Sequence, residues 1–178
     1  MLDRIFLVLT LTTCLLPFNS QAEEIEKKVN LSFGTYALTV AYVDAFINDD
    51  ILTGTALSAS YAFSNNTAVR GSLFSLNHID YPEIDAEGID IIALFGTGFT
   101  TQGFKAYLGA GIYDESWDNP TGGVLNFSGI QFNGGLGYNW EAIALDLIIG
   151  IRESGDYNNQ ANADTAVVSS TFNLSVRF

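Results

Sequence analysis

Residues 169–178 read SSTFNLSVRF. Phe172, Leu174, Val176 and Phe178 alternate strictly with Thr171, Asn173, Ser175 and Arg177. That is the period-two pattern of a strand with one apolar and one polar face. Most domains fray into polar termini. Here the ladder ends on an aromatic ring, as expected of a strand whose apolar face meets lipid and whose polar face meets an interior.

The same alternation recurs upstream. Period-two runs fall near residues 30–43, 53–64, 67–78, 88–100, 103–113, 126–138, 141–152 and 166–178. Each is about the length of a tilted membrane strand, roughly 9–11 residues. The connections alternate in length. SNNT (64–67), TTQG (100–103) and YNWE (138–141) are tight polar turns, whereas DAFINDDIL (44–52), IDYPEIDAEG (79–88), DESWDNPTGGV (114–124) and ESGDYNNQANAD (153–164) are long. Short turns at one end and long loops at the other describe an outer-membrane barrel. The predicted fold is therefore all-β: an eight-stranded antiparallel transmembrane up-and-down β-barrel, with both chain ends on the periplasmic, turn side.

Alternation also assigns faces. Ile143, Leu145, Leu147, Ile149 and Ile151 are expected to face lipid, opposite Asp146, Gly150 and Arg152. Lipid-facing positions elsewhere are Leu57, Tyr61 and Phe63; Ile89, Ile91, Phe95 and Phe99; Phe104, Leu108 and Ile112; and Ile130, Phe132, Leu136 and Tyr138. Small or polar residues such as Gly54, Ser58, Ser60, Gly96, Gly109 and Asn133 take the interior. Strand one changes phase near Gly34, from Leu31 and Phe33 to Tyr36, Leu38 and Val40, which suggests a bulge or a late start. In strand three Arg70 shares a face with Phe74 and Leu76. It is assigned inward, because a lipid-facing arginine at depth costs ~2–4 kcal/mol.

The closing segment FNLSVRF resembles the C-terminal strand of the small outer-membrane β-barrel family that includes OmpA transmembrane domains, OmpX and OmpW. AYLGAGIY (106–113) and GGLGYNW (134–140) look like that family's glycine-rich membrane strands. The resemblance covers the chain from residue 23 onward. It implies that Phe172, Leu174, Val176 and Phe178 form the signal read by the barrel-assembly machinery, with outer-membrane lipid and lipopolysaccharide as surroundings.

Residues 5–18, IFLVLTLTTCLLPF, form an apolar run too short to span a bilayer and suited to the core of a secretory leader. Cleavage is expected after Ala22, giving a signal peptide (1–22), a short periplasmic segment (23–29) and the barrel (30–178). Cys14, the single cysteine, would leave with the leader. The remaining chain then has no disulfide, thiol nucleophile or thiolate site. Net charge is −13, and a nucleic-acid partner is not expected, because phosphate binding needs a basic surface.

Three constellations could carry function. The first is a predicted interior charge network of Arg70, Asp90, Lys105, Asp146, Arg152 and Arg177. Unpaired, each buried charge is strongly penalised, so Arg70 is expected to pair with Asp146 low in the barrel and Asp90 with Arg152 near the top. The network reads either as the lining of a narrow channel or, preferably, as a polar core, since eight strands leave room only for side chains. The second is acidic loops: Asp44, Asp49 and Asp50; Asp80, Glu83, Asp85 and Glu87; Asp114, Glu115 and Asp118; Glu153, Asp156 and Asp164. These read as a solvated surface, or as weak divalent-cation ligands without EF-hand spacing. The third is His78 with Ser72 and Ser75 upstream, which reads as a water-facing rim histidine or, remotely, as part of a lipid A-modifying enzyme. The expected function is a non-enzymatic structural or surface-interaction barrel without cofactor. A narrow porin-like channel for small or hydrophobic solutes is the alternative. The extracellular partner is not legible.

Overall fold

The computed structural model describes residues 26–43, 48–120 and 122–178. The expected signal peptide, Cys14 and Asp44 lie outside the described residues.

Eight strands follow one another around a closed barrel: β1 (Val29–Tyr42), β2 (Asp50–Ala62), β3 (Thr67–His78), β4 (Asp85–Thr97), β5 (Gly103–Asn119), β6 (Gly123–Asn139), β7 (Ile143–Arg152) and β8 (Thr165–Arg177). A short helix, α1 (Gly155–Ala161), interrupts the last loop. All neighbours are antiparallel, and β8 pairs with β1 to remove any free edge. The path Asn30, Ser60, Arg70, Ile92, Gly111, Gln131, Arg152, Val167 follows paired residues around the wall and rejoins β1 at Val40. The stagger is thus ten residues, from Asn30 to Val40. Such a stagger tilts the strands against the barrel axis and sets its narrow bore.

The outward face is an apolar belt. Leu57, Leu73, Ile91, Leu108, Ile130, Leu147 and Leu174 are all well exposed, as lipid-facing residues must be. At the turn end the belt closes in a ring of exposed aromatics, Tyr61, Phe63, Phe95, Phe104, Trp140 and Phe178. Phe172, Leu174, Val176 and Phe178 all lie on this outer surface.

Four expectations are corrected. Strand one contains no bulge: β1 pairs without a skipped residue with both neighbours. The apolar pattern changes face there because the interior becomes apolar toward the loop end, where Tyr36, Leu38 and Val40 are buried. Phe99 is not lipid-facing. β4 stops at Thr97, Gly98 takes φ 84°, and Phe99 folds into the barrel mouth against Tyr107. Residues 114–119 and 123–124 are strand rather than loop, since β5 and β6 run on as a hairpin to the pair Asn119 and Gly123. Trp117 and Phe127 carry the inward alternation through it, while Asp114 and Asp118 face out. Finally, His78 is buried rather than water-facing.

Candidate functional site: the barrel interior and its loop-end rim

The interior is layered along its axis. At the turn end, Arg177 from β8 forms no ion pair among the described residues and is solvated by backbone. Its guanidinium donates to the carbonyls of Trp140 at 2.7 Å, Thr100 at 3.1 Å and Thr101 at 3.3 Å. Asn139 Nδ2 donates to the carbonyls of Gly98 (2.6 Å) and Thr101 (3.0 Å), and Asn65 Oδ1 accepts from the Thr100 amide at 3.2 Å. These bonds hold the 98–101 turn across the barrel mouth, with Phe99 and Thr100 buried beneath it.

The next layer is centred on Asp146 of β7. Lys105 Nζ lies 2.8 Å from Oδ2 and Arg70 Nη2 3.7 Å from the same atom, while the Tyr107 hydroxyl donates to Oδ1 at 2.9 Å. Two buried cations therefore share one carboxylate. Tyr107 can cross the bore only because Gly135 has no side chain, since a Cβ there would stand 2.3 Å from its ring.

Above this lies a ring of small polar residues. Ser32 hydrogen-bonds Ser175 at 2.8 Å and Ser58 donates to Ser72 at 3.0 Å. Arg70 Nε and Nη1, Asn133 Nδ2 and both side-chain polar atoms of Asn173 are buried here without a hydrogen-bond partner among the described residues.

The third layer is built on Arg152 of β7. Nη1 lies 2.5 Å from Glu115 Oε2, and Nη2 lies 2.9 Å from Asp90 Oδ1 and 2.6 Å from the Tyr36 hydroxyl. Tyr36 donates in turn to Asp90 Oδ2 at 2.8 Å. The guanidinium carbon sits 4.4 Å from the Tyr113 ring centre and 5.3 Å from that of Phe74, within cation–π range. Above it, Glu115 Oε1 accepts from Trp117 Nε1 at 2.9 Å and from the Tyr157 hydroxyl at 2.5 Å. Tyr157, on α1, is thus drawn into the barrel from the loop side and stacks on Phe127 with ring centres 4.3 Å apart. Burial pushes its hydroxyl well above the ordinary tyrosine range, and the Glu115 carboxylate adds to the shift.

Of the six charges expected inside, five fall into these two carboxylate-centred layers and Arg177 is held by carbonyls. Glu115 was read as a loop acid but is buried at the centre of the upper layer. Its position between Tyr113 and Trp117 on the inward face was the available signal. Tyr36, Tyr107 and Tyr157 complete the layers and carry no charge pattern to mark them.

At the rim, the His78 ring accepts hydrogen bonds at Nδ1 from the amides of Asp80 (3.1 Å) and Tyr81 (3.2 Å), and Nε2 lies 3.2 Å from Asp50 Oδ1. An imidazole that accepts at Nδ1 can donate from Nε2, the nitrogen that faces Asp50. Ser72 faces inward to Ser58 and Ser75 lies on the opposite face of β3, so no serine–histidine pair forms. Among the described residues, no three of His, Cys, Asp or Glu converge closely enough to hold a metal ion.

The charge distribution is one-sided. Among the described residues every Lys and Arg lies in the bore (Arg70, Lys105, Arg152, Arg177) or near the turn end (Lys27, Lys28). The loop end carries Asp49, Asp50, Asp80, Glu83, Asp85, Glu87, Asp114, Asp118, Glu153, Asp156 and Asp164 with no basic residue on its surface.

No family model matches the chain and no curated relative matches it. Among solved structures it is similar to Ail, the attachment invasion locus protein of Yersinia pestis, at TM-score 0.57 and 18% identity, covering 86% of this chain and 99% of that one. Ail in complex with the heparin analogue sucrose octasulfate gives TM-score 0.55 and 20% identity over 86% and 99% of the two chains. Neisserial surface protein A gives TM-score 0.58 and 16% identity over 84% and 97%. At these identities the likeness is one of fold: the closed eight-stranded barrel of small outer-membrane proteins.

Proposed function

We propose that this outer-membrane β-barrel is a non-enzymatic surface-interaction protein, with its turns and chain ends in the periplasm and its acidic loop end outside the cell. The observation that carries this reading is the contrast between the two ends of a filled bore. Two carboxylate-centred layers and a folded-in turn occupy the interior, while the distinctive surface chemistry gathers at the loops. Phe172, Leu174, Val176 and Phe178 serve as the assembly signal, and lipid and lipopolysaccharide surround the belt. Resting His78 and Ser72 in separate hydrogen bonds supports a non-enzymatic role.

The loop chemistry also separates this protein from Ail, which is seen with a sulfated sugar analogue. A surface of carboxylates alone repels a polysulfate. Sucrose octasulfate is therefore expected not to bind in a calorimetric titration at low salt. Orientation is tested with Asn159→Cys on exposed α1, in a chain whose only natural cysteine is Cys14 in the expected leader. A membrane-impermeant maleimide should label it on intact cells. Labelling only after lysis reverses the orientation, and tight octasulfate binding overturns the electrostatic reading. The Ser- and Asn-lined middle layer, with its unpartnered polar atoms, favours a narrow polar conduit as the second reading, which conductance decides.

A further inference from the structure

At the loop end of the barrel, above Glu115, a half-open cavity of about 160 Å³ lies between β1, β2, the β5–β6 hairpin and α1. Its walls include Tyr42, Trp117, Phe127 and Tyr157, and Asp50 lies on its edge. At roughly 30 Å³ per water, the space equals about five water molecules. It suits one compact head group rather than a sugar chain.

The walls are fixed. Phe127 stacks on Tyr157 at 4.3 Å, and Trp117 meets Phe127 at 5.2 Å and an interplanar angle of 58°. Glu115 anchors both Trp117 and Tyr157 from below. Aromatic rings carry negative potential on their faces, and several rings around one space form the environment that holds quaternary ammonium groups.

Asp50 supplies a full charge. Its two oxygens meet the Tyr42 hydroxyl (2.6 Å) and His78 Nε2 (3.2 Å). Among the described residues no Lys or Arg forms an ion pair with Asp50. About a third of its side chain remains exposed. Around it the surface is acidic throughout, a field that concentrates cations and excludes anions. One layer down, the barrel already holds a cation this way, with Arg152 over Tyr113 and Phe74.

We propose that this cavity binds a small organic ammonium cation, with its charged head among Trp117, Phe127 and Tyr157 and its charge balanced by Asp50. The inference deepens the surface-interaction reading by naming a ligand class for the loop end. Its test uses purified protein and is therefore independent of cellular orientation and of conductance.

The sequence holds two tryptophans, Trp117 and Trp140. In Trp140→Phe protein, refolded in a maltoside detergent free of choline head groups, fluorescence reports Trp117 alone. Choline chloride, titrated against sodium chloride at matched ionic strength, should give a saturable change. Its neutral isostere 3,3-dimethylbutan-1-ol should bind about tenfold more weakly or worse, the loss expected when the charge is removed from a cation–π site. Asp50→Asn should weaken choline about tenfold and leave the isostere unchanged. Phe127→Leu, with folding checked by heat-modifiable gel mobility, should also weaken choline. Phosphocholine should bind less well than choline, because the rim repels its phosphate. No saturable response, equal binding of the isostere, or indifference to Asp50→Asn overturns the proposal. Phosphocholine binding as tightly as choline overturns it in favour of a lipid head-group site.

Discussion

Glu115 on β5 stands 2.5 Å from Arg152 on β7 and, through its other oxygen, 2.5 Å from the hydroxyl of Tyr157 on α1. One carboxylate thus ties the barrel wall to the loop that covers it. Glu115→Ala leaves Arg152 with a single counter-ion and Trp117 and Tyr157 without an acceptor. The expected loss is about 3–5 kcal/mol, the range for breaking a buried pair, read from urea unfolding in micelles. Glu115→Gln keeps an acceptor oxygen and should cost less. Wild-type stability of Glu115→Ala would refute the linchpin, and equal loss in the two variants would assign it to the charge rather than to the acceptor oxygen.

Neighbouring residues on β7 separate the two faces. Leu147→Arg puts a charge into lipid near mid-belt and should cost ~2–4 kcal/mol. Asp146→Asn leaves Lys105 and Arg70 sharing no carboxylate and should cost at least as much. The conservative replacement Leu147→Ile should be nearly silent. Tolerance of Leu147→Arg at wild-type stability would invert the assignment of faces.

Plug and pore are distinguished electrically. With the bore crossed by Lys105, Arg70 and Tyr107 around Asp146 and by Arg152 between Asp90 and Glu115, the purified barrel should show no steady conductance in a planar bilayer. Arg70→Ala opens the Asp146 layer and should introduce brief current events. Ohmic conductance in the unmodified protein, unchanged by Arg70→Ala, would support the conduit reading.

Assembly provides a cellular test. Deleting Phe178 removes the last ring of the turn-end girdle and the residue whose amide and carbonyl bond Val29. Heat-modifiable folded barrel should fall and degradation rise. Wild-type yield of folded protein from the deletion would argue against a terminal assembly signal.

Tyr157 predicts an alkaline response. Its folded value lies above the ordinary value of 10.0, so the folded state keeps a proton that the unfolded chain releases. The contribution is fully present below about pH 10 and declines as pH rises beyond it. Limited proteolysis across α1 should therefore accelerate above that pH, and Tyr157→Phe should remove most of the pH dependence. A rate independent of pH would contradict it.

The wall of the barrel was legible because lipid enforces period two so strictly: β7 and β8 could be read residue by residue. Legibility faded where the environment changed along a strand. In β1 the apolar residues move from outside to inside as the strand leaves the belt, which mimics a bulge. In β5 and β6 the outward acids Asp114 and Asp118 disguised a continuing strand as a loop. Arg70 with Asp146 and Asp90 with Arg152 could be paired by counting from the turns. The stagger of ten residues set which further groups met them, and no local pattern encodes that shift. Lys105 and Glu115 therefore entered as partners only through the closed geometry.

The reciprocal bonds between Val29 and Phe178 join positions at opposite ends of the barrel sequence. Every other wall of the barrel is a hairpin between consecutive strands, able to form locally, but the β1–β8 seam waits for the whole length of chain. Closure therefore carries the largest loop entropy and comes late. Until then the two unpaired strands present edges that another chain could zip onto. Variants that weaken the seam, such as Gly34→Val, whose Cβ would stand 2.1 Å from the Phe172 carbonyl oxygen, should both destabilise the closed barrel and raise aggregation of the chain before closure.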